Sequence, residues 1–202
     1  MLSFARNRKA LSIRMNKIGF GGLVLSAVTL LSACQLIDTA KIKQSPETKE
    51  TQNNALISCA GTANCEFERF NAIQIMDGET HKVYRQAIQA NILRLRQNRL
   101  GKSNALYLSV PAGQHELVVR FYPVSQDRAE TLHLIHKFKA KNRYTLFMYR
   151  QRSSNQSTSL LNASAPDPLC VDLKQAQTTI RRFCKPYNAL TGLGEFVEQK
   201  LK

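Results

Sequence analysis

Acidic residues are scarce in this chain of 202 residues: 14 Asp and Glu stand against 29 Lys and Arg, with only four histidines. No stretch reaches the roughly 20 apolar residues a membrane-spanning helix needs, and the apolar run 18–31 is interrupted by Gly and Ser. Also missing are a G-x-S-x-G elbow, H-E-x-x-H, a P-loop and G-x-G-x-x-G, so the signatures of serine hydrolases, zinc proteases and nucleotide-binding enzymes are absent. Gly192-Leu193-Gly194 is too short to cradle a phosphate. His133 and His136 are an odd number of residues apart, which on a strand places them on opposite faces and prevents them sharing an ion. His115 lies in a row with Leu117 and Val119 and reads as a half-buried core histidine. The nearby acid pairs Glu66 with Glu68 and Asp167 with Asp172 carry no sign of a desolvated cleft. These absences lead to the expectation of a protein that is not an enzyme and needs neither cofactor nor metal.

What is present begins at the N-terminus. Arg6, Arg8, Lys9, Arg14 and Lys17 form a basic region without an acid, the apolar run follows, and it ends at Leu31-Ser32-Ala33-Cys34. This order resembles a bacterial lipoprotein signal peptide with its lipobox, over residues 1–35. The resemblance implies cleavage between Ala33 and Cys34, diacylglycerol on the Cys34 thiol, and acylation of the freed amine by palmitate or a similar chain in a Gram-negative cell. Two or three chains hold a protein on a membrane essentially permanently. Gln35 rather than Asp after the cysteine implies outer-membrane sorting, and the domain is expected to face the periplasm.

Removing residues 1–33 takes away five bases and no acid, leaving 24 basic residues against 14 acidic ones. Such a surplus favours anionic partners: an envelope polymer, lipid headgroups or an acidic envelope protein, with export arguing against nucleic acid. Arg85, Arg94, Arg96, Arg99 and Lys102 form the first basic cluster, Lys137, Lys139, Lys141 and Arg143 a second, and Arg181-Arg182 a third. Each doubles as the solvated side of strands and turns. Residues 34–57 are polar with few large apolar groups and read as the lipidated cysteine and a flexible tether. Residues 58–202 are then one domain, large enough for an ordinary core.

With Cys34 consumed, Cys59, Cys65, Cys170 and Cys184 remain, an even number in an oxidising compartment. Two disulfides are expected. Sequence proximity favours Cys59 with Cys65 and Cys170 with Cys184, while a pairing that staples the two ends of the domain stays open. The C-x5-C and C-x13-C spacings do not match zinc ribbons or fingers.

The middle of the chain alternates like strand. Leu106, Leu108 and Val110 precede Pro111-Ala112-Gly113-Gln114, and His115, Leu117, Val119 and Phe121 follow. Leu132, Leu134, His136 and Phe138 precede Ala140-Lys141-Asn142, and Tyr144, Leu146 and Met148 follow. The expectation is two successive hairpins. Residues 72–76 with Asp77-Gly78 suggest another strand and turn, and residues 83–100 fit both a helical and a strand period. Residues 153–168 read as loop, and the last residues from about Leu190 as a short helix. Within 104–150, Val110-Pro-Ala-Gly-Gln-His-Glu-Leu and the later Phe138-Lys-Ala-Lys-Asn-Arg-Tyr-Thr-Leu resemble the small PEGA-like β modules of envelope lipoproteins. That resemblance implies a surface-binding or structural unit and brings no catalytic residue.

The fold class expected is mainly β, a β-rich α+β domain with a small antiparallel sheet or sandwich built from successive hairpins and a short C-terminal helix. The function expected is a lipid-anchored outer-membrane lipoprotein whose non-catalytic domain binds or scaffolds an envelope component. An accessory regulator of an envelope enzyme or secretion machine is the alternative, and a cell-wall or lipid hydrolase ranks last.

Overall fold

Strand forms wherever the apolar alternation predicts it. The computed structural model describes residues 47–96, 104–151, 167–185 and 194–201 together with Ile42, all within the unit 38–202. In chain order the strands are β1 (Ala55–Ala60), β2 (Asn64–Phe70), β3 (Ile73–Gln74), β4 (Leu93–Leu95), β5 (Leu106–Val110), β6 (Gly113–Tyr122), β7 (Glu130–Phe138), β8 (Arg143–Arg150), β9 (Leu169–Gln175), β10 (Thr178–Lys185) and β11 (Val197–Gln199). One short helix, α1 (Arg85–Gln89), precedes β4. Seven strands form sheet A in the order β11-β10-β9-β8-β1-β5-β4, and four form sheet B in the order β3-β2-β6-β7. All pairings are antiparallel except β1 with β8.

The core lies between the sheets. Ile57, Leu108, Leu146, Val171 and Leu173 from sheet A join Phe67, Leu117, Val119, Leu132 and Leu134 from sheet B in one apolar cluster. The inward residues of β6, β7 and β8 are those the alternation selects. The pairing is not.

Neither expected hairpin exists. β5 pairs with β1 and β4 in sheet A, whereas β6 pairs with β2 and β7 in sheet B. Pro111-Ala112 is therefore a corner that carries the chain from one sheet to the other. The same holds for β7 and β8, which the turn 139–142 separates into different sheets. Alternation records which face is buried, and that face is the same for a hairpin and for a corner between two packed sheets. Turn-forming residues are likewise shared by both. Among the described residues the antiparallel pairs adjacent in sequence are β2–β3, β6–β7 and β9–β10, together with β4–β5 and β10–β11 across longer connections.

Side chains close each inter-sheet corner. The Cys59–Cys65 disulfide links β1 to β2 across the core. His115 Nε2–H donates to the Pro111 carbonyl at 3.1 Å, and its Nδ1 accepts from Asn71 Nδ2 at 3.0 Å, so both nitrogens of this half-buried ring have partners. The Tyr144 hydroxyl accepts the Lys139 N–H at 3.0 Å. The second disulfide, Cys170–Cys184, joins directly opposed residues of β9 and β10. Its 14-residue separation corresponds to a loop whose closure contributes about 3 kcal/mol through lost chain entropy. The two local pairings favoured by proximity are thus the ones formed.

Three boundaries differ from the sequence expectation. Ala55, Leu56 and Ile57, assigned to the tether by composition, belong to β1, and Thr51–Asn53 forms a 3-10 turn just before it. The short C-terminal helix is replaced, among the described residues, by β11, whose backbone pairs with Arg182–Cys184 of β10 while Glu198 grips Arg181. Local helix preference yields there to the ladder and the ion pair. In the described part of 83–100, up to Arg96, both periods appear in turn: α1 takes the helical part and β4 the alternating part.

His136 sits at the opening between the sheets, edge-on to Phe138 at 4.9 Å and Tyr144 at 5.6 Å, while His133 is exposed. Burial first, then the charges of Arg181 and Lys139 against the opposing Glu198, holds the His136 pKa below its ordinary 6.5. The folded protein therefore prefers the neutral ring. Stability from this term is complete above the ordinary histidine range and declines as pH falls below it. Thermal unfolding between about pH 7.5 and about pH 5 is expected to show a falling midpoint that His136→Gln partly flattens. An identical slope in the variant would assign the acid sensitivity elsewhere.

Candidate anion-binding face

The expected contacts of the first basic cluster do not stay together. Arg85 opens α1, which packs on β3 of sheet B. Arg94 is on β4 and only 3% exposed, so it is no surface contact: its Nη1 donates to the Asn91 and Leu93 carbonyls, and its Nε is 3.6 Å from Glu47. The alternation Leu93-Arg94-Leu95 points Arg94 away from the core, and the Glu47 carboxylate lies beside it. Arg96 remains half-buried at the end of β4. Arg99 and Lys102 lie outside the described residues, as do Ala33 and Cys34.

What the fold assembles instead is a row across the outer face of sheet A. Strand register aligns Arg94, Tyr107, Ser58, Thr145 and Lys174, one residue from each of β4, β5, β1, β8 and β9. Burial, then the nearby Glu47 carboxylate, raises the Tyr107 pKa, while Arg94, Arg96 and Arg143 oppose the shift. One tyrosine thus sits among three guanidinium groups from two separate sequence clusters.

The adjacent row adds aromatic surface. Ala60, Phe147, Asp172 and Arg182 are aligned across β1, β8, β9 and β10. Lys174 Nζ lies 4.5 Å above the Phe147 ring centre, and the Arg182 guanidinium 5.7 Å from that of Tyr149. Such cation–π contacts hold charged heads over the sheet while leaving part of each head available to a ligand. Asp172 is the acid within these rows, and it is already occupied. Arg182 donates to it twice, at 2.7 and 3.0 Å, with Tyr149 and Thr179 completing the set. Burial would raise the Asp172 pKa, but these hydrogen bonds outweigh it and hold the carboxyl below its ordinary range. Arg96, Arg143 and Lys174 form no ion pair among the described residues.

Sheet B carries a different polar cluster on its outer face. Glu66 is 7% exposed, contrary to the absence of a desolvated carboxylate expected from sequence. His81 Nδ1–H donates to its two oxygens at 2.9 and 3.1 Å, the Tyr122 hydroxyl donates at 2.8 Å, and Arg120 lies 3.7 Å away. Burial, then the bond to Glu66, pushes the Tyr122 pKa up to about 12. Every polar atom of Glu66 faces a partner supplied by β2, β6 or the turn 77–81, so the cluster fastens that turn to the sheet. Among the described residues no set of three or more metal-ligating side chains is grouped to hold a metal ion.

Set beside known proteins, the chain matches no family model, no curated protein and no solved structure. Its site must be read from its own geometry. Tyr107, Phe147, Tyr149 and Lys174 were not singled out by sequence reasoning, because their adjacency is created by strand register rather than by spacing along the chain.

Proposed function

We propose that the protein is a lipoprotein of the Gram-negative outer membrane, anchored through acylated Cys34, whose non-catalytic periplasmic domain binds an anionic envelope component through the outer face of sheet A. The observation that carries this reading is the gathering of Arg96, Arg143, Lys174 and Arg182 with Tyr107, Phe147 and Tyr149 on one sheet surface. The order of basic region, apolar run and Leu31-Ser32-Ala33-Cys34 supports the anchor. Two cysteine pairs at bonding distance suit an oxidising compartment. The resemblance of residues 104–150 to PEGA-like modules agrees with a surface-binding role, although here the strands it spans are shared between two sheets.

Two measurements test the reading. Intact mass of protein from its native host is expected to lack residues 1–33 and to carry diacylglycerol and an amide-linked acyl chain at Cys34; a bare thiol would remove the anchor. Co-sedimentation of the mature protein with purified cell wall and with anionic vesicles is expected to weaken as salt rises toward about 0.5 M. The pair Arg143→Glu and Lys174→Glu together is expected to lower low-salt binding by about tenfold or more, each charge near an anionic surface contributing on the order of 1 kcal/mol. Binding indifferent to both salt and substitution would exclude this face.

The second reading, an accessory regulator of an envelope machine, draws on the free edge of β7. Ile135 is 59% exposed there, and Arg181 Nη1 donates to its carbonyl at 2.6 Å while also holding Glu198. An arginine occupying an edge carbonyl discourages strand addition, so this surface is the weaker candidate.

A further inference from the structure

Where the chain reaches the domain is fixed well before β1. Glu47 lies beside Arg94, Asn54 Nδ2 donates to Ser109 Oγ at 3.1 Å, and the Lys141 N–H points to the carbonyls of Asn53 and Asn54 at 3.3 and 3.2 Å. Residues 47–54 are therefore fastened to sheet A at β4, at β5 and at the turn between β7 and β8. Ile42, still nearer the lipidation site, is buried in the core cluster, so only the seven residues 35–41 separate it from Cys34, a reach of at most about 28 Å.

The two outer faces differ in charge. Sheet A presents Arg96, Arg143, Lys174 and Arg182 against Glu47 and Asp172, with Arg94 buried beneath them. Over sheet B five acids, Glu66, Glu68, Asp77, Glu79 and Glu116, are balanced by five bases, Arg69, Lys82, Arg85, Arg120 and Lys137. The basic face is the one the tether joins. An anionic surface within reach of Cys34 would attract sheet A and not sheet B.

We propose that the outer face of sheet A lies against the phosphate-bearing headgroups of the membrane that holds Cys34, with the strap 47–54 fixing that orientation and sheet B turned away. This inference rests on the lipid anchor proposed above and names the anionic partner as phospholipid. Each cation at the interface strengthens attachment, and the short span from Cys34 keeps the face at high effective concentration over the bilayer.

The test uses the full mature lipidated protein in vesicles of phosphatidylcholine alone or mixed with phosphatidylglycerol, footprinted by lysine acylation and mass spectrometry. Lys49 on the strap and Lys174 on sheet A are expected to be modified about fivefold more slowly in the anionic vesicles, a difference erased by about 0.5 M salt, while exposed Lys82 beside sheet B is unaffected. In Arg143→Glu, a substitution at an exposed position, the protection of Lys174 is expected to fall toward its value in phosphatidylcholine. Equal protection of Lys82, or no dependence on lipid charge, overturns the orientation. If the mass shows Cys34 acylated and cell wall still pelleted in a salt-sensitive way, that failure leaves the parent reading standing with a polymer as its ligand. An unacylated Cys34 removes both.

Discussion

Replacing Arg120 by methionine is expected to destabilise the folded protein by about 3–5 kcal/mol, seen as a lower urea midpoint at unchanged slope. Arg120 is directly opposite Glu66 in the β2–β6 ladder, 7% exposed, and lies 3.5 Å from Glu68 as well as 3.7 Å from Glu66. Its Nη2 also donates to the Met76 carbonyl at 3.2 Å, which binds the turn after β3 to the sheet. Methionine fills most of the volume but leaves two neighbouring carboxylates without their cation, one of them almost fully desolvated. His81 and Tyr122 still donate to Glu66, so the loss is not total. The double variant Arg120→Met with Glu66→Gln is expected to recover part of the loss, because the uncompensated buried charge is gone; the two effects are strongly non-additive. A shift below about 1 kcal/mol for Arg120→Met alone would mean that solvent screens this network as it screens surface pairs.

That network also marks where sequence reasoning stopped. Alternation in 106–121 and 132–148 was sufficient to select Leu117, Val119, Phe121, Leu132, Leu134, Tyr144, Leu146 and Met148 as the buried face, since burial is a property of each strand alone. It was insufficient to pair β5 with β1 or β6 with β2, because those partners are distant in sequence and the corner at Pro111 carries the same residues as a hairpin turn. The acid at Glu66 and the base at Arg120 are invisible as a pair for the same reason. So is the row Arg94, Tyr107, Thr145 and Lys174, although two basic clusters that meet around Tyr107 were visible separately. Arg94 shows the opposite failure: its charge was legible, but not its burial or its approach to Glu47 ahead of β1. The disulfides were legible because both pairings are local. β11 was not, because three exposed residues, Val197, Glu198 and Gln199, carry no apolar alternation and are strand only through β10.

Gly61→Ala is expected to cost about 3 kcal/mol or more, nearly as much as the loss of the buried cation. Gly61 follows β1 at the corner into β2 and has φ +97°, a conformation in which a side chain is strained. A Cβ there would overlap the Met148 carbonyl oxygen and approach the Met148 nitrogen to 2.8 Å and carbon to 2.9 Å, all main-chain atoms of β8. They cannot rotate away as a flexible side chain would. Relief requires separating β1 from β8, the parallel pair at the centre of sheet A, or displacing the corner between Cys59 and Cys65. The disulfide restrains the second route while it is intact. Reduction is therefore expected to lower the absolute stability of both proteins but to narrow the gap between wild type and Gly61→Ala, since the freed corner absorbs part of the overlap. Paired urea titrations with and without reductant measure the two gaps. A gap that widens on reduction would show that the overlap is relieved through β8 and not through the corner.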